Sequence, residues 1–107
     1  MSFVIKYSSI ALKDIDQTYY EVFQSCLDNE TTKKYLNDLL SKIEEKTLFP
    51  NSGTPLNFVN IFTGYRYIVF KSYIIFYTIT SNEIHVERIL YAKSDYIKKL
   101  GLNIGEV

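Results

Sequence analysis

Hydrophobic residues recur along the first half of the chain at three- and four-residue steps, which predicts two amphipathic helices. The first stripe consists of Leu12, Ile15, Tyr19, Val22, Phe23, Cys26 and Leu27. The second stripe consists of Tyr35, Leu36, Leu39, Leu40 and Ile43, with Asn29 or Thr31 as a candidate N-cap. Because the link between the two helices is short, we expect them to form an antiparallel hairpin.

The pattern then changes to strand-like runs rich in Ile, Val, Tyr and Phe. Three runs separated by short polar turns predict an antiparallel meander: Tyr65 to Phe70, Tyr73 to Thr80 and Glu83 to Tyr91. A short strand from Phe3 to Tyr7 precedes the helices, and a last helical turn from Ser94 to Leu100 ends at Gly101, a candidate C′ residue.

This order of elements predicts an α+β fold in one domain spanning residues 1–107, with the helical hairpin packed on one face of the sheet. The segment from Leu48 to Leu56 contains both prolines and is predicted to be a loop. The run beginning at Tyr73 is almost continuously apolar, which is typical of a central strand. Both faces of the last strand are mixed, so periodicity does not decide which one points inward.

Composition restricts the class of protein further. The 107 residues carry 12 Lys+Arg and 12 Asp+Glu, so a nucleic-acid contact would need a local basic patch. Cys26 has no partner for a disulfide within the chain and, on the first apolar stripe, is predicted to pack in the core. The pattern shows neither a membrane span nor a signal peptide, and we therefore expect a cytoplasmic protein without membrane contact.

The segments Phe49-Pro50-Asn51-Ser52-Gly53-Thr54-Pro55-Leu56 and Glu87-Arg88-Ile89-Leu90-Tyr91-Ala92-Lys93-Ser94-Asp95-Tyr96 are more specific. Together with the order of elements, they resemble the RelE/ParE superfamily of bacterial type II toxin-antitoxin toxins over nearly the full chain. The resemblance implies a toxin encoded beside a cognate antitoxin that neutralises it by wrapping across its surface. It also implies growth inhibition as the function.

Two branches of this superfamily act differently. RelE-like members cleave messenger RNA on the ribosome, by attack of a ribose 2′-hydroxyl on the adjacent phosphate, whereas ParE-like members are thought to poison DNA gyrase without a catalytic site. Metal-independent cleavage needs a base, cationic groups for the phosphorane and an acid. The resemblance leaves gyrase and ribosome-bound mRNA both open as targets.

The nuclease residues of the superfamily are only partly matched. Relatives that are ribonucleases commonly have Arg where this chain has Ile74, and many read His-Gly-Arg-Arg-Asp where it reads Tyr91-Ala92-Lys93-Ser94-Asp95. For a ribonuclease, Arg66 and Lys93 would be the phosphate clamp, and Tyr91 or Tyr96 would donate a proton or stack on a base. The candidate catalytic residues are therefore Arg66, Lys93, Tyr91 and Tyr96.

Other residues are expected to serve the structure. Arg88 lies among apolar neighbours and needs a carboxylate partner, for which Asp95 is the candidate. The single histidine, His85, has no metal-ligand spacing around it, so no metal and no cofactor is predicted. The lost basic positions favour inhibition without catalysis, and the neutral net charge keeps open a degenerate toxin fold that only binds its antitoxin.

Overall fold

A computed structural model describes residues 3–101, in which five strands form one mixed sheet in the order β1-β5-β4-β3-β2. The strands are β1 (Val4–Tyr7), β2 (Thr54–Phe58), β3 (Ile61–Phe70), β4 (Tyr73–Thr80) and β5 (Glu83–Tyr91). The helices are α1 (Ser9–Cys26), α2 (Asn29–Glu44) and α3 (Tyr96–Lys99), and two 3-10 turns cover Glu45–Thr47 and Pro50–Ser52. The α+β class, the helical hairpin and the antiparallel meander are confirmed.

The meander contains one strand more than the sequence predicted. The strand Thr54–Phe58 pairs with β3 at the outer side of the sheet, although its first three residues fall in the segment to Leu56 that was predicted to be a loop because of its prolines. An edge strand tolerates Pro55 because one side of its backbone needs no ladder partner. As a result β3 also begins earlier than predicted, at Ile61 instead of Tyr65.

The helices pack on the face formed by alternate residues of the central strands. The fully buried core joins Ala11 of α1 and Leu39 and Ile43 of α2 to the sheet. On the sheet side it consists of Phe70, Tyr73, Ile75, Val86 and Ile89. The predicted apolar stripe of α2 is confirmed, although its N-cap is Asp28, whose carboxylate accepts from the Thr31 N–H at 2.9 Å.

The buried face of α1 is rotated relative to the predicted apolar stripe, of which Ile15 and Val22 do pack against the core. Its buried residues are Ala11 and Thr18, whereas Leu12 is 53% exposed and Cys26 is exposed as well. The prediction that Cys26 packs in the core is therefore wrong. The rotation follows from polar contacts that hold the other side of the helix against β5, described below, and Thr18 is accommodated because its hydroxyl donates to the Asp14 carbonyl.

A bulge in β5 resolves its mixed pattern. Phe76 lies opposite Arg88 and Tyr77 opposite Val86, so Glu87 is an extra residue in the ladder. The bulge changes the alternation, and Val86 and Ile89 thus both reach the core on the helix side. This irregularity is the reason why strict alternation along the sequence could not assign the faces.

Candidate functional site

Arg66, the first candidate catalytic residue, is engaged with the backbone. One nitrogen of its guanidinium donates to the carbonyls of Asn51 and Gly53, at 3.3 and 3.2 Å, and the group lies 5.4 Å from the ring centroid of Phe62. These contacts connect β3 to the loop that precedes β2. In this arrangement Nη1 holds the loop in place, because both of its hydrogen bonds go to backbone carbonyls.

Tyr77 of β4, which is 1% exposed, also binds this loop. Its hydroxyl donates to the Pro50 carbonyl at 2.6 Å and accepts from the Gly53 N–H at 3.0 Å. Burial raises the pKa of Tyr77, although the Gly53 N–H and the positive charge of Arg66 act in the opposite direction. A Cβ atom on Gly53 would clash with the hydroxyl and ring of Tyr77, so the close approach requires glycine.

Tyr91 lies at the other end of the sheet. It is opposite Tyr73, whereas Arg66 is opposite Tyr77, so the two candidates are separated along β4 as well as across it. The ring of Tyr91 meets that of Tyr73 edge to face at a centroid distance of 5.8 Å. Tyr91 therefore faces the helices, next to a group of tyrosines that sequence reasoning did not select.

Tyr96 and Lys93 occupy two further positions. Tyr96 of α3 stacks on Phe76 at 5.4 Å, and because Phe76 alternates with the core residue Ile75, this pair lies on the sheet face away from the helices. Lys93 is exposed in the turn after β5. The four candidates thus lie on both faces and at both ends of the sheet, and the fold does not gather them around one phosphate-sized site.

Arg88 has a carboxylate partner, but the partner is Asp14 of α1 and not Asp95. Its Nε and Nη2 donate to Asp14 at 2.8 and 3.1 Å, and the Ile89 N–H donates to the same carboxylate at 3.0 Å. The side-chain hydrogen bonds to Asp14, together with its negative charge, raise the pKa of Arg88. Asp95 instead caps α3 by accepting from the Lys98 N–H. The correction reflects tertiary proximity, since Asp14 and Arg88 are far apart in sequence.

A cleft of about 510 Å³ lies between α1, α2 and the turn that connects β3 to β4. Its lining residues are Glu21, Val22, Ser25, Tyr35, Ser72, Tyr73 and Tyr91. The Tyr73 hydroxyl donates to the Glu21 carboxylate at 2.7 Å. Burial, followed by this hydrogen bond and the charge of Glu21, strongly raises the pKa of Tyr73.

Of the residues that line this cleft, the sequence pointed to Tyr91, as a candidate catalytic residue, but not to Glu21, Tyr35 or Tyr73. Tyr73 was assigned to a central strand, and Tyr35 to the apolar stripe of α2. The available signal was the high content of tyrosine, which joins an apolar ring to a polar hydroxyl. That signal does not show which tyrosines meet, because they come from three separate elements.

Exposed apolar side chains lie in the loop held by Arg66 and Tyr77 and, at the other end of β2, in the β2–β3 hairpin. In the loop, Leu48 and Phe49 are 72% and 70% exposed, and in the β2–β3 hairpin Val59 and Ile61 are 75% and 69% exposed. Exposed apolar side chains of this size commonly mark surfaces that bind another protein. Among residues 3–101, no cluster of three or more His, Cys, Asp or Glu residues is arranged to hold a metal. No helix in that range is long and apolar enough to span a membrane.

Comparison with known proteins now gives the class. The family model described as "ParE toxin of type II toxin-antitoxin system, parDE" matches residues 5–96. Since this match covers most of the chain, the protein belongs to the ParE toxin family, within the RelE/ParE superfamily suggested by the sequence. No curated protein matches the chain significantly.

Solved structures share the fold. The "Chromosomal ParDE TA system from P. aeruginosa" has a chain that is 17% identical, with a TM-score of 0.70 over 86% of this chain and 98% of that one. The "E. coli DinJ-YafQ toxin-antitoxin complex" has a chain that is 22% identical, with a TM-score of 0.50 over 85% of this chain and 93% of that one. At these identities the likeness is one of fold.

Proposed function

We propose that this chain inhibits bacterial growth by binding DNA gyrase without catalysis, and that a cognate antitoxin protein neutralises it in the cytoplasm. The observation that carries the proposal is the dispersal of the candidate nuclease residues. Arg66 donates to backbone carbonyls, while Tyr91 and Tyr96 lie on opposite faces of the sheet. Membership of the ParE family supports the same branch.

A base, an acid and a phosphate clamp must stand within hydrogen-bonding reach of one reacting group. Moving Arg66 to such a site would break its bonds to Asn51 and Gly53 and leave Tyr77 as the remaining side-chain support of the loop before β2. Binding to a protein target makes no such demand, and the exposed side chains of Phe49 and Ile61 offer contact area for it. The arrangement therefore favours binding over cleavage of ribosome-bound mRNA.

Induced expression in a bacterial host tests the proposal, with growth, messenger RNA integrity by primer extension and gyrase supercoiling followed in parallel. We expect growth arrest, intact transcripts and inhibited supercoiling. The variant Lys93→Ala changes an exposed candidate clamp residue, and Lys33→Ala on the exposed side of α2 is its matched control.

Transcript cleavage that Lys93→Ala abolishes and Lys33→Ala leaves intact would establish an mRNA endoribonuclease and overturn the proposal. If neither the wild type nor the variants arrest growth, the result would instead favour a degenerate module that only binds its antitoxin. The balanced net charge is consistent with that alternative.

A further inference from the structure

The cleft beside Tyr73 has an aromatic wall made by three tyrosines. Tyr73 meets Tyr35 at a centroid distance of 6.3 Å and an interplanar angle of 79°, and meets Tyr91 at 5.8 Å and 69°. Because each neighbour is steeply inclined to Tyr73, the rings cannot form a parallel stack. The faces of such rings carry negative potential and attract cations.

A fixed carboxylate adds formal negative charge to this wall. One oxygen of Glu21 accepts from the Tyr73 hydroxyl at 2.7 Å and the other from Gln17 Nε2 at 3.0 Å. Each carboxylate oxygen has a second lone pair, so both can accept from a ligand as well. Among the residues of the described part of the chain that line the cleft, Glu21 is the one with a formal charge.

The surrounding charges limit where a ligand's positive charge can lie. Lys71 places its ammonium 4.9 Å from the ring centroid of Tyr35, which shows that one of these rings already takes a cation. Beyond Glu21, a pocket of about 330 Å³ is lined by the Arg88–Asp14 pair and by Lys13 and Lys99. Because Lys13 and Lys99 repel positive charge on one side and Lys71 already lies over Tyr35 on the other, the place left for a ligand's charge is beside the Glu21 carboxylate.

We propose that this cleft binds a lysine or arginine side chain of a protein partner, with the alkyl stem against the tyrosine rings and the charged group at Glu21. Cationic side chains stack on tyrosine, and arginine also pairs with a carboxylate through two parallel hydrogen bonds. We take that partner to be the cognate antitoxin, and this part of the proposal rests on the proposed function. The proposal that the cleft binds a cationic side chain does not depend on the proposed function, because it follows from the tyrosine rings and the Glu21 carboxylate.

Nuclear magnetic resonance titration of the full chain with N-acetyl-L-arginine amide and N-acetyl-L-lysine amide tests the site, with N-acetyl-L-norleucine amide as the uncharged control. We expect both cations to shift the amide signals of Val22, Ser25, Ser72 and Tyr73, and norleucine amide to bind at least fivefold more weakly. Glu21→Gln keeps an acceptor for the Tyr73 hydroxyl and should weaken cation binding at least fivefold. Glu30→Gln, in the exposed first turn of α2, is the matched control and should leave binding unchanged.

Equal binding of the norleucine and arginine compounds, equal binding by Glu21→Gln and wild type, or shifts that map elsewhere would each overturn the proposal. Spermidine that binds at least tenfold more tightly than either amide would assign the cleft to a free polyamine and not to a protein side chain. All of these results are independent of growth arrest, so a failure of this site is distinguishable from a failure of the proposed toxin function.

Discussion

At the residue scale, Arg66 and Tyr77 shape the loop before β2 by supplying partners for its backbone groups. The Pro50, Asn51 and Gly53 carbonyls and the Gly53 N–H all find side-chain partners in this pair. A loop without regular secondary structure needs such partners wherever water is excluded. Arg66, which the sequence suggested as a catalytic residue, therefore has a structural role in holding this loop.

Replacing Gly53 by alanine should lower the free energy of unfolding by about 1–3 kcal/mol, as overpacking does in other buried sites. The φ of −68° at Gly53 suits alanine, so the cost comes from the contact of the new Cβ with the Tyr77 ring. Urea denaturation measures the effect, with Asn51→Ala at an exposed neighbouring position as the control. An unchanged unfolding midpoint for Gly53→Ala would show that the ring moves aside without cost.

Because the pKa of Tyr73 is raised in the native protein, the free energy of unfolding should decrease at alkaline pH. In the unfolded chain the phenol ionises near its ordinary pKa of 10.0, whereas in the native protein Tyr73 stays protonated to higher pH. The native state then binds more protons than the unfolded state, so the stabilisation is complete below pH 10 and is lost as pH rises above it.

Stability measured by denaturation across this range should therefore fall above pH 10, and Tyr73→Phe should fall less steeply. Tyr20→Phe is the matched control for loss of one tyrosine, because Tyr20 is 59% exposed. A decline of the same slope in Tyr73→Phe and wild type would exclude Tyr73 as a source of the pH dependence.

At the scale of elements, α1 completes the hydrogen bonding of β5 where β1 ends. β1 pairs with β5 as far as Tyr7 opposite Val86, and side chains continue from there. The Ser8 hydroxyl donates to the Glu87 carbonyl at 2.9 Å, and the Asp14 carboxylate accepts from the Ile89 N–H at 3.0 Å. These bonds orient α1 and explain why its buried face differs from the apolar stripe in the sequence.

Replacing Asp14 by alanine should lower the free energy of unfolding by about 2 kcal/mol, because it leaves Arg88 and the Ile89 N–H without this partner. The value lies below the roughly 3–5 kcal/mol of a fully buried pair, since the Arg88 side chain is 20% exposed. Asp38→Ala, which breaks the exposed pair with Lys34, should cost about 0–1 kcal/mol. Equal unfolding midpoints for the two variants would contradict the role given to Asp14.

At the scale of the whole molecule, balanced charge argues for a protein target. The chain has 12 basic and 12 acidic residues, whereas non-specific nucleic-acid binding depends on excess positive charge that neutralises phosphates. If the protein does contact a nucleic acid locally, we expect the contact at the basic rim formed by Lys93, Lys98 and Lys99. Exposed apolar residues in the loop before β2 and in the β2–β3 hairpin offer contact area of a different kind.

Fluorescence anisotropy with duplex DNA should show no binding tighter than about 100 μM at near-physiological salt. Micromolar binding with steep salt dependence would contradict this expectation. If such binding were lost in Lys98→Ala/Lys99→Ala but not in Lys33→Ala/Lys34→Ala, it would assign the contact to the basic rim.

Much of the fold could be predicted, because regular elements carry periodic signals. β4 and β5 begin and end at the predicted residues, and the stripe of α2 faces the core as expected. Prediction was weakest where a tertiary partner replaces the periodic signal. Pro55 hid an edge strand, and the Glu87 bulge changed the alternation of β5.

By itself the sequence determined the α+β class, the order of the elements apart from β2, and the superfamily, since each depends on residues near one another in the chain. Only the tertiary structure decided that Arg88 pairs with Asp14, that Arg66 binds a loop, and that Glu21 and three tyrosines share one cleft. The hydrogen bonds among these contacts join residues 13 to 74 positions apart. Local propensity carries no information about them, because they depend on how α1 and α2 are oriented on the sheet.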